Sequence, residues 1–382
     1  MIPYGRQEVT EKDIQEVISV LQSDYLTQGN VVPKFERAVS SYSGALHGVA
    51  TNSATSALHI ACMALKIGPE DIVWTSPNTF LASANCARYC GAEVDFVDIN
   101  PQTYNMSVDA LAEKLEKAEL TNQLPKLVIP VHFAGQSCEM REIKKLSERY
   151  GFYILEDASH AIGATYLGEH VGNCKYSDIT VFSFHPVKII TTGEGGMAVT
   201  NNSDLASRME RFRNHGLTRD SLFMEGLSDG PWYYQQINLG FNYRLTDIQA
   251  ALGMSQLERI DGYIEQRKEI ANFYNDRLID MPLVLPLQSA NTSSSWHLFP
   301  IQLKDKQERL RVFEGMRSAA IGVNVHYIPV HLQPYYRHLG HEIGDFPESE
   351  AYYDREISLP IYPTLQKSQQ DFIVKVLQEL LK

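Results

Sequence analysis

Short apolar runs, each separated from the next by a stretch of helical periodicity, dominate the first half of the chain. They lie at Gly48–Ala50, Ile72–Trp74, Val94–Val97, Leu127–Val131, Phe152–Leu155 and Ile179–Phe182. Runs of this length with little polar interruption are what a strand buried on both faces requires, and the helical stretches between them supply the crossovers that parallel strands need. The pattern predicts an α/β fold with a mostly parallel sheet covered by helices. Ligands of such sheets bind beyond the carboxyl ends of the strands, so the residues after each run are the ones to inspect.

Helix starts are marked by capping boxes. Thr10-Glu-Lys-Asp13 precedes Ile14, Val17, Ile18 and Leu21 at helical spacing, and Thr246-Asp-Ile-Gln249 opens a pattern expected to stay helical to about Leu278. Beyond Met281-Pro282 the order changes. Strands are expected at Trp296–Leu303 and Gly322–Ile328, with a helix between them and a closing helix near Gln369–Leu381. A chain of 382 residues exceeds one small core. The expected division is a large domain over 1–255 and a small α+β domain over 256–382, with the boundary inside the long helix.

The formal net charge is -12, and no basic run could neutralise a phosphate backbone or an anionic lipid surface. Nucleic acid and membrane are therefore not expected partners. The start, Met1-Ile-Pro-Tyr-Gly-Arg, lacks a signal-peptide pattern, and the expected compartment is the cytoplasm. Cys62, Cys86, Cys90, Cys138 and Cys174 are odd in number and scattered, which points to packed thiols rather than a disulfide framework or a metal site.

Chemistry concentrates at the strand ends. Asn52-Ser-Ala-Thr-Ser-Ala-Leu58 follows a strand and opens a helix, so its amino terminus can receive an anion; Ser53 and Thr55 can also simply cap that helix. Asp157 stands at the end of a central strand. It can cap the next helix, or hold a proton on the ring nitrogen of a pyridine cofactor. The Ile179–Phe182 run leads into Ser183-Phe-His-Pro-Val-Lys188 and then Thr191-Thr-Gly-Glu-Gly-Gly196. A lysine is ordinarily a solvated surface charge. In this apolar turn, desolvation would lower the pKa of Lys188 and make its amine nucleophilic, with Ser183 placed to bind phosphate. The glycines do not form a GxGxxG between strand and helix, so a nicotinamide site is not supported. Phe80 can be core or stack on a flat ring, and His160 can be a packed histidine or a donor to a ring oxygen.

With these motifs, together with Arg213-Asn-His-Gly216 and Gly240-Phe-Asn-Tyr-Arg-Leu-Thr-Asp-Ile-Gln249, the chain resembles the DegT-type nucleotide-sugar aminotransferases, which are fold-type-I pyridoxal-phosphate enzymes. The resemblance implies an aspartate-aminotransferase-like fold and pyridoxal 5'-phosphate carried on Lys188 as a Schiff base. It also assigns Asp157 to the pyridinium nitrogen, Phe80 to stacking, His160 to the ring oxygen, and Thr55 and Ser183 to the phosphate. Asn242 is assigned to the phosphate of a neighbouring subunit, which implies a homodimer with shared active sites. Many relatives have Gln at the position of His160. Leu26–Gly29, Val323–Val330 and His331–Tyr336 resemble the pseudaminic-acid branch of the family. That likeness implies amino transfer from L-glutamate, leaving 2-oxoglutarate, to the C4 ketone of a UDP-linked 4-keto-6-deoxy-N-acetyl sugar. Lys188 would then move protons in both halves of the reaction. Related sugar dehydratases carry histidine in place of the lysine, and a silent binding protein would not need it; Lys188 argues against both.

Overall fold

The computed structural model describes residues 1–382. Elements are numbered in chain order. The first part runs α1 (Glu11–Leu21), α2 (Val31–Ser43), β1 (His47–Thr51), α3 (Ala54–Ala64), β2 (Ile72–Thr75), α4 (Ala82–Tyr89), β3 (Glu93–Phe96), α5 (Val108–Thr121), β4 (Leu127–Ile129), α6 (Met140–Tyr150) and β5 (Tyr153–Asp157). A small ladder of β6 (Thr165–Tyr166) and β7 (Glu169–His170) precedes β8 (Ile179–Ser183), β9 (Gly196–Thr200) and α7 (Ser203–Arg213).

The central seven-stranded sheet has the order β1-β9-β8-β5-β4-β2-β3. Its strands are parallel except β9, which runs antiparallel to both β1 and β8. Buried clusters lie on both faces. Leu58, Ile60, Val73, Ile129 and Leu155 belong to one, and Trp74, Val128, Ile143 and Ile154 to another. This two-sided burial is why these strands read as continuous apolar runs.

Both capping boxes form. The Thr10 side chain accepts from Asp13 N–H, and the Thr246 side chain from Gln249 N–H. The long helix is interrupted, however. α8 (Asp247–Leu257) and α9 (Ile260–Leu278) are separated at Glu258–Arg259, where Arg259 has φ -109° and ψ 5°. At the break the Arg259 guanidinium donates to both carboxylate oxygens of the fully buried Asp13, at 2.8 Å each.

After β10 (Leu217–Thr218) and β11 (Gln235–Gln236), the C-terminal part has its own sheet, in the order β12 (Leu283–Val284), β14 (Phe299–Leu303), β15 (Glu356–Leu359), while β13 (Thr292–Ser293) pairs with β6. α10 (Glu308–Ser318) and the closing helix Lys367–Leu380 pack on it, and Ile270, Tyr274, Phe299, Ile301, Ile357 and Ile373 share its core. Ile260 and Tyr263, earlier on α9, pack instead with the large sheet's helices. We propose that α9 itself carries the chain from one core to the other. The stretch expected as a strand at Gly322–Ile328 is not one. It makes only isolated bridges, Asn324 with Ser358 and, just before it, Ile321 with Ile2. The His326 N–H, which a strand would direct to a neighbour's carbonyl, donates to Glu356 Oε2 at 2.8 Å. No helix is long and apolar enough to cross a membrane.

Candidate active site

The carboxyl ends of β5 and β8, the amino terminus of α3 and the Asn324–Tyr327 segment surround a cavity of about 460 Å³. Six of the residues singled out in the sequence line it: Thr55, Phe80, Asp157, His160, Ser183 and Lys188. Asn242 does not. It is exposed and bridges Asn214 on a different face, beside a second cavity of about 460 Å³ bordered by Asn214, Arg219 and Arg244.

Asp157 ends β5 and is 4 % exposed. No helix comes after it for the carboxylate to cap. Its Oδ1 accepts from Ser159 N–H at 3.0 Å, and its Oδ2 from Ser83 Oγ at 2.6 Å. The Ser83 hydroxyl lies 2.7 Å from that of Thr79. The carboxylate is thus fixed in place by hydrogen-bond donors from two elements.

Lys188 follows β8 in a turn closed by its N–H donating to His185 O at 2.9 Å. The amine makes no hydrogen bond or ion pair within the chain. Burial pushes its pKa down to about 8, against the pull of the Asp157 carboxylate. An amine so poised is partly neutral near physiological pH and can act as nucleophile or base.

At the start of α3 the two hydroxyls expected to compete for the cap divide the work. Ser53 caps, its Oγ accepting Ser56 N–H at 3.1 Å, while the Thr55 hydroxyl has no partner in the chain. Ser183 Oγ likewise makes no hydrogen bond, although the residue is 6 % exposed. Gly196, which pairs with Ser183 across β8 and β9, lies so close to α3 that a Cβ there would stand 2.4 Å from Ala54 N. The glycine therefore lets β9 approach the helix end where an anion would sit.

The opposite wall is aromatic. His160 Nε2 lies 3.2 Å from the Tyr327 hydroxyl, and its ring stands 4.3 Å from that of His297. Burial, with Lys188 and His326 nearby, holds His160 well below the usual imidazole range, so it stays neutral; its Nδ1 is buried without a partner. The Phe80 ring is 58 % exposed and lies 6.2 Å from that of Tyr327. Asn324 lies in the Val323–Val330 segment singled out in the sequence, whereas Ser83 and Tyr4 were not found there. Ser83 sits in an ordinary small-residue helix, and Tyr4 reaches the site only through the packing of the chain's two parts.

The model of the DegT/DnrJ/EryC1/StrS aminotransferase family matches residues 7–378. The chain belongs to this family. It is 37% identical over 387 residues to the UDP-4-amino-4,6-dideoxy-N-acetyl-beta-L-altrosamine transaminase of Campylobacter jejuni, covering 100% of this chain and 98% of that one. Among solved structures it is similar to Helicobacter pylori PseC, an aminotransferase involved in the biosynthesis of pseudoaminic acid (TM-score 0.90, 31% identity, 100% and 99% covered). It is also similar to the PMP-form of Streptococcus pneumoniae Spr1654, a putative sugar aminotransferase (TM-score 0.91, 29% identity, 100% and 99% covered). The protein is thus a fold-type-I aminotransferase, and its cofactor is pyridoxal phosphate. The cavity fits that group: an unpaired lysine amine, a fixed carboxylate, an open aromatic face and two unpartnered hydroxyls at a helix terminus.

Proposed function

We propose that this aminotransferase moves an amino group from L-glutamate to the C4 ketone of a UDP-linked 4-keto-6-deoxy-N-acetylhexosamine. The product would be a UDP-4-amino-4,6-dideoxy sugar of the kind used for pseudaminic acid. The observation that carries the reading is the unpaired Lys188 amine, lowered to about 8, in the same cavity as Asp157. The full-length likeness to an altrosamine transaminase supports the choice of sugar.

In this reading Lys188 would hold the cofactor, Asp157 would keep its ring nitrogen protonated, and Phe80 would stack on its ring. Thr55, Ser183 and the α3 amino terminus bind the phosphate. His160 donates toward the ring oxygen from a neutral imidazole. Bound there, pyridoxal phosphate supplies the electron sink that makes a C–H bond beside the transferring nitrogen acidic. The Lys188 amine, when free of the cofactor, would be the base that removes the α-proton of glutamate and passes it on to the cofactor carbon, and in the second half the acid that delivers a proton to C4 of the sugar. One base at the centre of the cavity serves both directions. Asn242, outside its own chain's cavity, reaches the phosphate in a second subunit of a homodimer. Mass analysis of the purified enzyme with glutamate and epimeric UDP-4-keto sugars tests the reading. A glutamate-dependent gain of nitrogen at C4 with release of 2-oxoglutarate is expected; bleaching by glutamate with no aminated UDP-sugar would overturn the choice of substrate.

A further inference from the structure

Behind the cavity wall, a chain of hydrogen-bonding groups runs from the substrate side into the core of the C-terminal part. Asn324 and His326 line the cavity, and Asn324 Nδ2 lies 3.2 Å from His326 Nε2. On the other side of the ring, His326 Nδ1 lies 2.8 Å from Ser358 Oγ, which is 2.5 Å from Glu356 Oε1. Glu356 Oε2 accepts the His326 N–H at 2.8 Å. Both Glu356 and Ser358 sit on β15 and are fully buried, and no cation pairs with the carboxylate. Asn324 Oδ1 has no partner within the chain.

We propose that Glu356, acting through Ser358, sets the tautomer of His326 and thereby decides whether Asn324 presents a hydrogen-bond donor or an acceptor to the substrate. The inference rests on reading the cavity as the substrate site. The two states come from counting protons along the chain. With Glu356 ionised, the Ser358 hydroxyl donates to it, His326 Nδ1–H donates to Ser358, and His326 Nε2 accepts from the Asn324 amide, whose oxygen faces the cavity. With Glu356 protonated, every bond reverses. The acid donates to Ser358, Ser358 donates to His326 Nδ1, and Nε2–H now requires the Asn324 oxygen, so the amide turns and its NH₂ faces the cavity. The heavy-atom positions serve both states.

The surroundings let Glu356 select between them near neutral pH. Burial raises its pKa to about 8, opposed by Ser358, the His326 amide and the Arg309 guanidinium; Tyr104, Tyr327 and Tyr352 also face it. His326 cannot take up the charge. Burial and Lys188 hold it down to about 3, so the imidazole changes tautomer and not ionisation. Below pH 8 the enzyme therefore offers the substrate a donor, matched to a carbonyl, hydroxyl or phosphate oxygen; above pH 8 that donor is withdrawn.

The test uses the full-length holoenzyme and the UDP-4-keto sugar. In the unaltered protein, KM for the sugar is expected to rise about tenfold from pH 7 to pH 9.5, the scale of one hydrogen bond lost. Glu356→Gln, whose carbonyl must accept the His326 N–H and so turns its NH₂ to Ser358, should lose that rise, and Glu356→Ala, which leaves nothing to titrate at this end of the chain, should lose it too. Lys188, which also titrates near pH 8, is common to all three and cancels in the comparison. If Glu356→Ala fails to fold, Ser358→Ala interrupts the chain with the carboxylate kept and should also abolish the step. Imidazole ¹⁵N shifts of His326, followed by NMR from pH 7 to 9.5, should pass from the Nε2–H to the Nδ1–H form and do so without any turnover. A Glu356→Gln enzyme that keeps the alkaline rise, or a His326 tautomer that does not change, would overturn the inference. Absence of sugar turnover in the unaltered enzyme would instead count against the proposed substrate.

Discussion

Two buried carboxylates, one on β5 next to the cavity-lining Asp157 and one on β15 behind the cavity wall, are treated differently by the fold. Glu156, next to Asp157 in the floor strand β5, accepts from His132 Nε2 at 2.6 Å, from Thr180 Oγ1 at 3.0 Å and from Ser177. Despite burial, the His132 imidazole with the two hydroxyls holds it below the usual carboxylate range; His132 Nδ1 accepts the Cys138 N–H at 3.1 Å, which leaves Nε2–H as the donor to Glu156. Glu356, behind the wall, accepts from Ser358 and the His326 amide but has no imidazole or other paired partner, and burial raises it to about 8 despite the Arg309 guanidinium nearby. The floor is locked in one charge state across the working range of pH. The wall is left able to titrate, because a single missing partner reverses the sign of the shift.

The comparison can be broken at the floor first. His132→Ala would strand Glu156 as a buried, unpaired charge, and a loss of about 3–5 kcal/mol in denaturant unfolding at pH 7 is expected. A loss below about 1 kcal/mol would show that the floor is not locked by this pair. The pH dependence has a definite sign. Lowered Glu156 contributes stability that is present above about pH 4.5 and lost on acidification. Next in size, Asp157→Ala should lower kcat by about 10²–10³-fold, the scale of removing one fixed electrostatic partner at a reacting site; steady-state rates with glutamate decide it. Ser83→Ala removes a hydrogen bond to that carboxylate, worth about 1.5–3 kcal/mol, and a drop of about tenfold in kcat with little change in cofactor affinity is expected.

The smallest effect belongs to the wall. Glu356 holds its proton more tightly folded than unfolded, so its contribution is present below about pH 4.5 and lost as pH rises through 8. Relative to Glu356→Gln, the unaltered protein should lose thermal stability between about pH 4.5 and 8 and then stay level. Melting curves of the two that remain parallel from pH 5 to 9 would remove the contrast between floor and wall.

How much of the fold and site was legible depended on whether a residue's role came from its position in a local pattern. The central strands were visible because burial on both faces writes them as apolar runs, and Asp157 and Lys188 were found because ligand sites lie past strand ends. The break between α8 and α9 was not visible: helical spacing continues through Glu258–Arg259, and the partner that holds Arg259 there, Asp13, lies far away in sequence. Gly322–Ile328 reads as a strand by composition, yet the His326 amide is taken by a side chain from β15. Ser83 and Glu356 carry no local mark at all. Each matters through a contact with a residue more than twenty positions away, and such contacts exist only once the fold brings them together.

The central claim is that Lys188 alone holds the cofactor in the cavity floored by Asp157. Borohydride reduction of the holoenzyme followed by peptide mass mapping tests it directly. The account predicts one pyridoxyl phosphate adduct per chain, on Lys188, absent after prior incubation with glutamate and absent in Lys188→Ala, with transamination by that variant reduced about 10³-fold or more. An adduct on another lysine, or full turnover by Lys188→Ala, would contradict it.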